Sequence, residues 1–227
     1  MSPTSETAIT EASSSLESAP LPDRSPEHPK PVHWFRRLAG GNTRKSLAWI
    51  YAILLIASAD HFPNALGTFV CFLGAAIRFW SSGYLRKNTR PSVGGPYGLT
   101  RNPLYLGTYL MLVGASLAVN AWALAAISSV AFAVIYHCVI LDEEEKLDRI
   151  FGEPYQLYLK TVSRFFPLRW FPKREARLAI NPIEEHLKFS WKLTRENRAH
   201  PWISFLGLIG FLWLVAYLRL HFTGGLS

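Results

Sequence analysis

The chain has 227 residues, is 49% hydrophobic and 18% charged, and carries a formal net charge of +8. Its two cysteines, Cys71 and Cys138, both fall in apolar runs, which excludes a disulfide scaffold and a cysteine-based zinc site. The averages hide a division: residues 1–31 hold five acids against two bases, a net of −3, so the rest of the chain carries +11.

Residues 1–31 contain seven Ser, six Pro and three Thr. Such a composition buries too little apolar surface to order itself, so it reads as a disordered tail. It lacks the apolar core of a signal peptide. Residues 32–227 read as one integral membrane domain. His33-Trp34-Phe35-Arg36-Arg37-Leu38 combines rings and bases as a short interfacial anchor does.

Five apolar stretches follow, at about 46–60, 65–85, 103–119, 121–141 and 201–220. A helix crossing the bilayer core needs about 20 residues, range 17–25. The fold expected is therefore all-α, a polytopic membrane bundle of about five transmembrane helices. The first stretch ends at the helix-breaking Asp60-His61-Phe62-Pro63-Asn64, where Asp60 and His61 are expected to cap helices. The third and fourth meet in a tight hairpin at Asn120-Ala121. Small residues at Gly67, Gly74, Gly107, Gly114 and Ala118 suit close helix packing. Arg78, inside the second stretch, is read either as functional or as snorkelling to the interface.

Lys and Arg set the orientation. Arg36, Arg37, Arg44 and Lys45 precede the first stretch, and Arg86, Lys87, Arg90 and Arg101 join the second to the third. Residues 142–200 carry twelve more, whereas the loops near 60–64 and 120–121 carry none. The bias predicts a cytoplasmic N-terminus and an outside C-terminus, with 201–220 as the last span or as a re-entrant helix. The setting is a bacterial inner membrane or the endoplasmic reticulum. Basic loops of this kind suit an anionic leaflet and argue against nucleic acid as a partner. The oligomeric state is not legible.

Two clusters carry possible chemistry. Gly94-Gly95-Pro96-Tyr97-Gly98-Leu99-Thr100-Arg101-Asn102-Pro103-Leu104-Tyr105 ends in a helix start, with Asn102 as N-cap and Pro103 at the first helical position. Its free N–H groups beside Arg101 suit a carboxylate. The second cluster is Asp142-Glu143-Glu144-Glu145. After it, Leu147, Phe151, Tyr155 and Tyr158 recur at helical spacing, which predicts a cytoplasmic amphipathic helix. Ile183, Leu187 and Trp191 suggest another. Roughly 27 Å of helix rise from Asn102 to the hairpin, and roughly 33 Å back to Glu143, return both clusters to one membrane depth. A basic corner facing an acidic pair there suits a zwitterionic ligand. His137 lies seven residues before Glu144, on nearly the same helix face, and is a candidate to line the site.

The combined pattern resembles the isoprenylcysteine carboxyl methyltransferase and phospholipid methyltransferase superfamily over about residues 65–168. It reads Gly95-Pro96-Tyr97, Arg101-Asn102-Pro103-Leu104-Tyr105-Leu106-Gly107, then Glu143-Glu144-Glu145-Lys146-Leu147 and Phe151-Gly152-Glu153-Pro154-Tyr155, closing with Val162-Ser163-Arg164-Phe165-Phe166-Pro167. Asn102 stands where isoprenylcysteine enzymes usually carry His, as in many bacterial-type members. The resemblance implies a membrane-embedded enzyme without a Rossmann domain. It would transfer methyl from S-adenosylmethionine to a lipophilic acceptor (an isoprenylated or lipid carboxylate, thiol or amine) at the cytoplasmic face. Carried over, Arg101 and Glu144 are catalytic; Tyr97, Arg101, Asn102, Tyr105, Glu143 and Glu144 bind the cofactor; no metal is implied. Two other readings stand beside it, an NADPH-dependent membrane reductase and a non-catalytic membrane adaptor of the same fold.

Overall fold

The computed structural model describes residues 40–86, 90–167, 172–197 and 201–223. All lie in the unit Pro31–Ser227. The tail 1–31, the anchor 33–38, and Trp170 and Phe171 fall outside the described residues.

Eight helices and no strand form among the described residues: α1 Gly41–Ala57, α2 Ala65–Ser82, α3 Pro103–Ala118, α4 Trp122–Phe151, α5 Glu153–Thr161, α6 Arg174–Ile180, α7 Trp191–Glu196 and α8 Pro201–Thr223. Three are long and apolar enough to cross a membrane, at Ala65–Ser82, Trp122–Phe151 and Ile203–Phe222; Pro103–Ala118 is a shorter apolar helix. Their outer faces expose Phe69, Ile127, Val130, Ile203 and Leu206, a surface suited to lipid and costly in water.

The small residues explain the closest packing, between α2 and α3. A Cβ on Gly74 would stand 2.6 Å from the Gly107 carbonyl oxygen, and one on Gly107 would stand 2.7 Å from that of Gly74. A Cβ on Gly67 would strike the Ala118 backbone. Tyr51 ties α1 to this pair by donating to the Leu112 carbonyl at 2.7 Å.

The loops at one end of the bundle meet. Asn64 caps α2 by accepting from Gly67 N at 2.8 Å, and its amide donates to Leu117 O at 2.6 Å and to Asn120 Oδ1 at 2.9 Å. Asn120 turns the α3–α4 hairpin with φ +58°. Asp60 does not cap a helix. It pairs with Arg219 near the end of α8, whose guanidinium also donates to Ile56 O at 2.9 Å and Ala57 O at 3.1 Å. Those carbonyls lie in the last turn of α1, where the helical ladder runs out of donors, so an Arg adds to their hydrogen bonding.

Two expected helices take a different form. The acidic run 142–145 lies within α4, which continues unbroken for 30 residues. Leu147 and Phe151 end α4, and Tyr155 and Tyr158 belong to α5. The break is Gly152, at φ +59° and ψ −133°, where a side chain would be strained. The four side chains still share one cluster, with Val93, Val162 and Ile180. Ile183, Leu187 and Trp191 do not share a helix either. Pro182 follows α6, residues Glu184–Leu187 form a 3-10 turn, and Ser190 caps α7.

Candidate functional site

The end of the bundle opposite Asn120 holds a cavity of about 640 Å³. The two motif halves build it. Gly95–Gly98 is a 3-10 turn with Gly95 at φ +51°, where a Cβ would also strike the Tyr84 ring. The turn buries Tyr97 to 6% exposure, and Tyr158 of α5 donates to the Tyr97 carbonyl at 2.8 Å.

The chain then stitches itself to the segment after α5. Thr100 and Ser163 form a parallel bridge, and Arg101 N donates to Ser163 O at 2.9 Å. Asn102 begins α3, but its side chain does not cap it; the amide donates instead to Arg164 O at 2.8 Å. The Thr100 hydroxyl donates to the same carbonyl at 3.2 Å.

This stitching joins the basic corner to the acidic pair. Arg101 Nη2 lies 3.1 Å from Glu144 Oε1, with both side chains nearly buried. Arg164 grips the same carboxylate at two points, Nη2 to Oε2 at 3.0 Å and Nε to Oε1 at 3.3 Å. Arg101 Nη1 donates to Leu159 O at 3.1 Å. The carboxylate that the basic corner meets is thus the protein's own. Glu143 points elsewhere: it accepts from the Tyr105 hydroxyl at 2.8 Å, and the Tyr105 ring packs on Tyr136 with centroids 5.0 Å apart.

Tyr97, Arg101, Asn102, Tyr105, Glu143 and Glu144 all line the cavity. His137 does not. It is exposed on α4 two turns away, beyond the residues that cover Glu144. Arg164, which closes the motif, takes its place in the ion triad through Glu144. Arg78 does not snorkel: its guanidinium bonds Thr108 and donates to Leu104 O at 3.2 Å, holding the first turns of α3.

Three buried donor atoms on residues lining this space have no hydrogen-bond partner among the described residues: the Tyr97 hydroxyl, Arg101 Nε and Arg86 Nε. Such groups are costly to leave unpaired. Burial pushes the Tyr97, Tyr155 and Tyr158 hydroxyls well above their ordinary range, so they stay protonated. Burial pulls the Arg101 guanidinium down, and Glu144 beside it opposes the change.

Residues 78–154 match the phospholipid methyltransferase family. All six cavity residues named above lie within that matched segment; Arg164 and everything after α5 lie outside it. Two curated proteins are also similar. A nickel-cobalt-cadmium resistance protein of Alcaligenes xylosoxydans xylosoxydans is 33% identical over 132 residues, 57% of each chain. A cobalt-zinc-cadmium resistance protein of Cupriavidus metallidurans is 31% identical over 129 residues, 56% of this chain and 55% of the other. The chain thus spans just over half the length of these relatives. No solved structure matches. Among the described residues, no three His, Cys, Asp or Glu side chains are grouped to hold a metal ion.

Proposed function

We propose that the cavity is the active site of an S-adenosylmethionine-dependent methyltransferase acting on a lipophilic acceptor. One observation carries the reading: six motif residues of the family-matched segment line one cavity, and two of them carry buried donors without a partner among the described residues. The same reading keeps residues 32–227 as one membrane domain with five spans. The basic segments and the cavity lie on the cytoplasmic side, with the N-terminus there and the C-terminus outside.

The residues present suit a zwitterionic cofactor. Glu143 is exposed and uses only Oε2 for Tyr105, which leaves acceptor capacity for a cation or a ribose hydroxyl. Arg101 Nε and the Tyr97 hydroxyl are donors for a carboxylate or another oxygen. Glu144 has a different task. Held by two guanidiniums, it offsets their charge and fixes Arg101 in place. When bound, S-adenosylmethionine supplies an electrophilic methyl group. The protein's contribution is then alignment at about 3–3.5 Å, which is worth several kcal/mol without a covalent intermediate. A carboxylate acceptor arrives without its proton, so no general base is required.

The test is binding of radiolabelled S-adenosylmethionine to the purified full chain. Wild type binds, and Glu143→Gln and Tyr97→Phe bind more weakly while remaining folded. No binding by wild type overturns the reading, and full binding by both variants overturns the residue assignments.

A further inference from the structure

The cavity's charges are not evenly satisfied. Arg101 and Arg164 share the single carboxylate of Glu144, Glu143 is bonded to Tyr105, and Asp142 is the third carboxylate on the lining. Three other cations line the same space: Arg86, Arg90 and Lys146. None makes an ion pair among the described residues. Arg86 Nε is buried and has no hydrogen-bond partner there either. Its guanidinium makes one long bond, Nη2 to Glu185 O at 3.4 Å.

The wall carrying these arginines is held in place from outside the family-matched segment. Asn181, 1% exposed, donates from Nδ2 to the Pro91 carbonyl at 3.0 Å, and Pro91 also lines the cavity. Ser190 N donates to Gly83 O at 3.0 Å. Asn197 Nδ2 donates to Ser82 O and Leu85 O, both at 2.9 Å. Phe189 covers Gly83 so closely that a Cβ there would strike its ring. Residues 172–197 thus form a strap across the outside of the wall. A side-chain amide buried to this depth, and spent on a backbone carbonyl, fixes that carbonyl's position. Nearby, the His186 imidazole is pushed down by burial first and by Arg86 and Arg90 next, which registers the positive field at this wall.

We infer that Arg86, Arg90 and Lys146 form a subsite for an anionic oxygen group, a phosphate or carboxylate, and that Asn181 is the positioning residue that holds its wall. The inference rests on the methyltransferase reading for the identity of the ligand, and it gives the acceptor a negative charge close to the reacting group. Several cations around one anion give charge-assisted bonds, roughly twice as strong as neutral ones.

The purified full chain in detergent is titrated with inorganic phosphate, and separately with dihexanoyl phosphatidic acid, with the thermal midpoint as readout and chloride at equal ionic strength as control. Wild type is expected to rise with at least one of the two. A rise with the lipid alone identifies a membrane-borne headgroup, and a rise with phosphate alone a soluble anion. The double variant Arg86→Gln/Arg90→Gln, altered only at the cavity's edge, is expected to bind at least about tenfold more weakly. Asn181→Ser keeps all three cations and is expected to weaken binding severalfold. No rise in wild type, an equal rise with chloride, or an unchanged response in the double variant overturns the subsite. An unchanged response in Asn181→Ser overturns the positioning role. Labelled S-adenosylmethionine binding, measured on the same samples, reports separately on the methyltransferase reading.

Discussion

Glu144 meets Arg101 at 3.1 Å, although one belongs to the lower part of α4 and the other to the loop before α3. The contact exists because Gly152 reverses the chain and lets Ser163 pair with the backbone of Arg101. It also places Arg164 on the other side of the same carboxylate. Glu144→Ala would leave two guanidiniums facing each other in a nearly closed site. The cost of breaking such a pair is about 3–5 kcal/mol. Arg164→Ala removes a partner whose side chain is 43% exposed, so solvent screening limits its cost to about 1 kcal/mol or less. Unfolding of the two variants in detergent checks the order; equal losses would contradict it.

Tyr97→Phe separates binding from stability. The hydroxyl makes no protein hydrogen bond among the described residues, so its removal breaks none and stability should change by less than about 0.5 kcal/mol or rise. Binding of labelled S-adenosylmethionine should fall about 3- to 30-fold, the loss expected for one buried hydrogen bond. A destabilised protein with unchanged affinity would contradict both halves.

The hydropathy pattern located the helices that build the bundle, because burial in lipid and burial in protein both select long apolar runs. Two features escaped it. The motif alone selected Tyr97, Arg101, Asn102, Tyr105, Glu143 and Glu144, whereas Arg164 closed that motif with no sign of its partner. Its bond to Glu144 depends on a backbone reversal at Gly152, whose φ no periodicity records. The strap was equally hidden. Asn181 and Asn197 act through side chain to backbone bonds, and a carbonyl acceptor has no sequence signature. His137 lies outside the cavity lining, because helical spacing identifies a face of α4 and not how far along it a cavity reaches.

Acid should loosen the strap. Asn181 Nδ2 lies 3.1 Å from His186 Nδ1, an arrangement that needs an unprotonated acceptor on the ring. The His186 imidazole is depressed below its ordinary 6.5. The folded state therefore binds fewer protons than the unfolded one in this window. The contribution of His186 to stability is complete above the ordinary value and is lost as pH falls through the depressed one. Protection at the amides of residues 181–188, taken as exchange relative to the unstructured rate at each pH, should fall from about pH 7.5 to about pH 5, and His186→Gln should flatten that dependence. An identical acid response in the variant would assign it to other groups.

The α2–α3 contact should transmit damage to the cavity. In Gly107→Ala the new methyl would meet Arg78 Cγ at 2.6 Å and the Gly74 carbonyl at 2.7 Å. The Arg78 side chain has little freedom to move, because it holds Leu104 O and Thr108. The two helices must separate, at a cost of about 1–3 kcal/mol for an overpacked site. Leu104 and Tyr105 line the cavity one turn away, so affinity for S-adenosylmethionine should fall as well. Gly207→Ala is the control. It lies in α8, a Cβ there meets nothing within 4 Å, and neither stability nor binding should drop. The pair of variants is compared by thermal unfolding and by labelled cofactor binding. Equal behaviour would mean that the close approach of α2 and α3 does not support the site.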